Sequence, residues 1–133
     1  MMNAFSKQVP AAMNVASVKQ FCRSFAGVTE KISGHPANIL TYSVADKKFA
    51  YFKTSEPEQW RFSFRATPQR FLELTDQPGI RPARYMHRFH WVTVVKVASM
   101  DEAYLRELIQ WSYDTALSAL PKKVQREIRG GDS

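Results

Sequence analysis

The chain has 133 residues, 44% of them hydrophobic, and carries a net charge of +7, with a sequence pI near 9.8. That length suits one domain with a single core that needs no disulfide staples. The lone cysteine, Cys22, excludes an internal disulfide and any paired-cysteine zinc or redox motif, and no run of about 18 apolar residues is present to cross a bilayer as a helix.

The opening MMNAFSKQVPAAMNVAS lacks the continuous apolar stretch of a secretion signal. A loose N-terminal arm over residues 1–16 and a reducing, cytoplasmic setting are therefore expected. A single domain over residues 17–125 follows. Ser17 and Gln20 have capping-box spacing, and Val18, Phe21, Cys22 and Phe25 recur at helical spacing before Gly27, a natural stop. Cys22 is expected in the core. TEKISGHPAN reads as a loop, ILTYSV as a strand, ADK as a turn and KFAYFK as the returning strand of a hairpin. In QWRFSFRA, Trp60, Phe62 and Phe64 alternate with Arg61, Ser63 and Arg65, which predicts a strand with one face in the core and one in water.

Thr67 then Pro68 opens a short helix reaching about Leu74, which TDQPGIRP must break. HWVTVVKV is a further strand, apolar on both faces and expected centrally in the sheet. Ser99 and Glu102 form a second capping box, from which Leu105, Leu108, Ile109, Ser112, Ala116 and Leu120 trace one helical stripe up to Pro121. KKVQREIRGGDS is polar, and residues 126–133 are expected to be a flexible tail. The predicted class is α+β: a two-layer fold with helices packed on one face of a mainly antiparallel sheet.

Four segments in order, FAGVTE, KKFAYF, PARYMHRFHWVTV and ELIQWSYDTALSALPKK, resemble the MmcQ/YjbR family of small bacterial proteins over roughly residues 17–125. That resemblance implies a CyaY-like, or frataxin-like, fold and a proposed DNA-binding role through wing-like β-structure. It implies no catalytic residues. Where many family members have Asn-Lys-Lys between Met and His, this chain has His87, Arg88 and Phe89, exchanging a cation for an aromatic that can stack on bases. Iron-binding frataxins resemble one another in an acidic first helix, whereas Lys19 and Arg23 stand in this one, so iron chemistry is not expected.

Charge is segregated along the chain: residues 77–96 sum to +4 and residues 97–120 to −3. A polyanion-binding face needs such an asymmetry, because Lys and Arg contacts to phosphates release counterions. The candidate contacts are Arg81, Arg84 and Arg88 with His87 in one loop, Arg61 and Arg65 flanking Ser63 on one face of a strand, and Lys47 and Lys48 at the hairpin tip. Each has an ordinary alternative: arginines paired with the acidic last helix, a strand face kept soluble, a charged turn. Trp91 is read as a core anchor rather than a base-stacking platform.

His87 and His90 fall on opposite sides of an extended segment, so no shared metal ion is expected. No nucleophile elbow or phosphate-cradling glycine loop is present, and neither a cofactor nor an enzymatic role is expected. The leading expectation is a monomeric protein that grips DNA phosphates through a basic loop and β-wing. A protein-interaction or small-ligand module is the alternative, and an uncharacterised enzyme the third.

Overall fold

The fold is described from a computed structural model covering residues 12–130. Six strands form one antiparallel sheet: β1 (Val28–Ser33), β2 (Ile39–Val44), β3 (Lys47–Lys53), β4 (Phe62–Arg65), β5 (Ile80–Pro82) and β6 (Trp91–Val94). Their spatial order is β1-β2-β3-β4-β6-β5. Among the described residues four α-helices join them: α1 (Val15–Arg23), α2 (Pro68–Thr75), α3 (Glu102–Ser118) and α4 (Lys122–Gly130). The architecture is α+β.

Alternation along the strands decides which face the helices cover. Cross-strand register sets Phe52, Phe62, Val94 and Ile80 in one row and Ala50, Phe64, Val92 and Pro82 in the next. All but Pro82 are buried, against Leu74 of α2 and Leu105, Leu108, Ile109 and Leu117 of α3. Burying a side chain such as Phe62 stabilises the fold by about 1.5–3 kcal/mol. Tyr113 ties this layer to the end of α1, stacking on Phe25 at 4.4 Å and donating its hydroxyl to the Ala26 carbonyl at 2.7 Å. Cys22 is wholly buried. Burial pushes its thiol far up, so it remains a protonated core residue.

Several boundaries differ from the sequence reading. The capping box of α1 is Asn14 with Ser17: Asn14 Oδ1 accepts the Ser17 amide at 2.8 Å and Ser17 Oγ accepts the Asn14 amide at 2.9 Å. The helix therefore starts before Ser17. Met13 is buried and Ala12 bridges to Asp101, so residues 12–16 belong to the packed unit and not to an arm; residues 1–11 lie outside the described region. The expected loop TEKISGHPAN contains β1, paired residue by residue from Val28↔Val44 to Ser33↔Ile39. As an edge strand with no fully buried position, β1 has no alternation to read.

β4 is shorter than expected, because Trp60 takes a left-handed backbone (φ 72°) and only packs partly against the core. β6 lies between β4 and β5, one strand from the edge rather than central. β5 emerges from the segment read only as a break; its Pro82 is tolerated because the strand is at the edge.

α3 is capped by Asp101, which accepts the Tyr104 amide at 3.1 Å, while Ser99 ends a 3₁₀ turn. The supposed flexible tail is α4 as far as Gly130. Val124 and Ile128 pack on the core, and the Gln125 amide donates to the carbonyls of Leu120 at 2.8 Å and Ser118 at 3.2 Å, capping the helix before it. Gly27 makes room for this helix. Its φ is +71°, and a Cβ there would come within 3.0 Å of Ile128 Cγ2. Among the described residues no helix is long and apolar enough to cross a membrane.

Candidate nucleic-acid interface

The residues that alternate with the core form the sheet's second face. Register aligns Lys31, Thr41, Tyr51, Ser63, Thr93 and Arg81 in one row across all six strands. Ser63 was expected to be wet, yet it is 1% exposed and its Oγ lies 2.8 Å from Thr93 Oγ1, also buried. Two covered hydroxyls satisfy each other there, which offsets the cost of taking them out of water. Tyr51 and Trp91 stack at 5.8 Å with their planes 29° apart, from strands on either side of β4. The small side chain of Ser63 leaves room for this contact. Trp91 is thus an anchor, as expected, but on the face away from the helices.

A hollow of about 290 Å³ is lined by Tyr51, Arg61, Arg81, Pro82, Arg84 and Thr93. Glu58 bridges two of its arginines. Its carboxylate accepts from Arg61 Nη1 at 3.0 Å and from Arg81 Nη1 at 3.2 Å, and a second Arg81 bond comes from Nη2. Hydrogen bonds from Arg81 first, then Arg61, hold the Glu58 carboxyl down at about 2. Among the described residues Arg84 pairs with no carboxylate; its guanidinium lies 5.6 Å from the centre of the Tyr85 ring.

A second hollow, of about 300 Å³, lies where the hairpin tip approaches the C-terminal half of α3. Asp46, Lys47, Lys48, Arg65, Phe89 and Trp91 line it, with Met86 and α3 residues behind. Ser112 of α3 fixes this end of β4, accepting the Arg65 amide at 3.1 Å and donating to the Phe49 carbonyl at 2.7 Å. The Lys48 ammonium lies 5.3 Å above the Tyr51 ring, so the Tyr51–Trp91 stack separates the two hollows while touching both.

The loop from β5 to β6 borders both. HRFH is not extended: His87–Phe89 form a 3₁₀ turn, His90 takes a left-handed φ of 65°, and the strand starts only at Trp91. The opposite-sides reading of the two histidines thus fails on its premise. His90 packs edge-on to Phe71 at 5.5 Å. Among the described residues no three His, Cys, Asp or Glu side chains gather as metal ligands.

Of the expected contacts, Arg81 and Arg84 meet in one hollow, joined there by Arg61 rather than Arg88, and Lys47, Lys48 and Arg65 meet in the other. Arg88 and His87 are exposed on the turn and line neither, with Arg88 5.0 Å from the Phe89 ring. The acids of α3 do not pair with this loop. Glu107 holds Arg70 and Glu102 holds Arg106, each at 2.8 Å. Tyr51 and Thr93 were missed as site residues, whereas the period-two pattern around Arg61 and Arg65 already places Ser63 with them on one face. Glu58 stands only three residues before Arg61, but its bond to Arg81 spans 23 residues of the chain.

The molecule is an α+β domain whose antiparallel sheet buries one face under helices and carries Lys31, Tyr51, Arg65 and Arg81 on the other. The YjbR family model matches residues 23–115, and the chain belongs to that family. It is 24% identical over 115 residues to the uncharacterized protein YjbR of Escherichia coli K12, covering 86% of this chain and 96% of that one. It is 34% identical over 71 residues to the uncharacterized YbdF of Escherichia coli O157:H7, a match spanning 52% of this chain and 57% of that relative. Two solved structures share the fold. The Deinococcus radiodurans protein DR2400, with a DUF419 domain, superposes with a TM-score of 0.75 at 22% identity over 91% of each chain. A Pseudomonas syringae protein gives 0.62 at 17% identity, over 78% of this chain and 99% of that one.

Proposed function

We propose that this protein binds DNA, gripping backbone phosphates with the helix-free face of its sheet. The observation that carries the reading is the convergence of cations on that face. Lys31, Lys48, Arg65 and Arg81 alternate with core residues onto one side, and Arg61 and Arg84 join Arg81 in one hollow there. The cations converge in two hollows large enough for a phosphate, the first on that face and the second at its margin with α3, where Asp46 stands beside Lys47 and Lys48. Contacts of this kind position a protein on a backbone without reading bases.

The test is a binding isotherm against labelled DNA at several salt concentrations, for the wild type and for the triple variant Arg61→Gln, Arg81→Gln, Arg84→Gln. Glutamine retains part of the aliphatic stem, so folding should be preserved. The slope of log K against log salt should flatten by about 2 units, with similar losses for unrelated sequences. No wild-type binding tighter than about 10⁻⁴ M at low salt would remove the proposal.

The size of the Arg61–Arg81–Arg84 hollow also suits a small anionic ligand, since small-molecule sites begin at about 300 Å³. Thermal stabilisation by a free mononucleotide, with no affinity for oligonucleotides, would favour that second reading.

A further inference from the structure

We infer that the strand this face takes is unpaired, its phosphates held in the hollows and its bases stacked on Tyr85 and Phe89. This rests on the DNA-binding reading and names its substrate class more narrowly.

Tyr85 is 81% exposed and Phe89 44% exposed, in a chain whose other rings are mostly buried or half-buried. Each stands beside one hollow. Tyr85 lies under the Arg84 guanidinium that lines the first, and Phe89 is part of the wall of the second. Tyr85 is also held at φ 67°, a left-handed backbone that bulky side chains rarely adopt. Its ring gains no burial in return.

A cationic pocket paired with an open ring, repeated on the two sides of the Tyr51–Trp91 stack, is the pairing that a single strand offers: a phosphate and a free base face per nucleotide. In a duplex the base faces are already stacked on one another, so the same rings would meet only backbone. Specific reading of a duplex groove calls for an inserted helix or β-ribbon. The longest helix here, α3, carries Glu102, Glu107 and Asp114 and packs against the core side of the sheet, only its C-terminal half bordering the second hollow. Stacking and phosphate contact are common to DNA and RNA strands, so the chemistry defines an unpaired nucleic-acid strand of either sugar.

Fluorescence anisotropy with a labelled mixed-sequence 12-mer tests this in four arms: single-stranded DNA, single-stranded RNA of the same sequence, and the duplex of each. Both strands, or the one whose sugar is preferred, should bind at least about tenfold tighter than the corresponding duplex. The double variant Tyr85→Asn, Phe89→Ala should lose about tenfold or more on the strand and clearly less on the duplex. Asparagine tolerates the left-handed backbone, and an unaltered unfolding midpoint verifies the fold. Leu72→Ala, an exposed apolar position on α2, serves as the neutral control. Duplex binding equal to or tighter than strand binding, or a double variant as tight as wild type on the strand, overturns the inference while leaving the phosphate grip standing. Absence of binding in all four arms overturns both.

Discussion

The two faces of this sheet are made from alternate residues of the same strands, so Phe62 and Ser63 are chain neighbours in different environments. The first lies among rings and aliphatic chains, with Phe52 at 4.7 Å and Phe64 at 5.7 Å. The second lies in a floor held by one hydroxyl pair, one stacked ring pair and ion pairs to Glu58. Apolar burial dominates the drive to fold, whereas exposed ion pairs are worth about 0–1 kcal/mol. The helix-covered face therefore fixes the fold, which leaves the other face open to chemistry that folding does not require.

The sharpest way to break that division is substitution on the covered side. Phe62→Ala removes a fully buried ring and should lower stability by about 3–5 kcal/mol in denaturant unfolding. Ser63→Ala, one position along, should cost only about 1–2 kcal/mol, since it leaves Thr93 without its hydroxyl partner. Costs of equal size at the two positions would mean that the second face carries the fold as well.

A smaller effect sharpens the comparison from the other side. Glu58 occupies two arginines that the proposed ligand also needs, so Glu58→Gln should raise oligonucleotide affinity about two- to fivefold. The same change has a pH signature. The carboxyl is held at about 2 in the folded protein against an ordinary value of 4.5, so its stabilising contribution is present above pH 4.5 and is lost as pH falls toward 2. Thermal midpoints between these limits should fall more steeply with acid for the wild type than for the variant.

Much of the covered face was legible in the sequence because burial imposes period. The alternation of QWRFSFRA, the Thr67–Pro68 cap and the stripe from Leu105 through Ile109 all correspond to observed elements. What could not be read lacks that imprint. β1 is an edge strand whose partners fix it through backbone hydrogen bonds, β5 is three residues long, and α4 offers only Val124 and Ile128 as apolar contacts. The site was half legible. Strand parity brings Arg61 and Arg65 to one face, and local charge marks Arg81 and Arg84, but the turn at His87 carries Arg88 away from both hollows. Tyr51 and Thr93, and Glu58 in its bond to Arg81, join through long-range pairing that no short window contains.

The central claim, that binding belongs to the helix-free face, is tested most directly by mapping backbone amide chemical shifts by NMR during titration with a short single-stranded oligonucleotide. Perturbations should concentrate at Tyr51, Ser63, Thr93, Arg81 and the loop from Arg84 to Phe89, with the exposed side of α3 unchanged. Shifts centred on α2 and α3, with that row and loop silent, would contradict it.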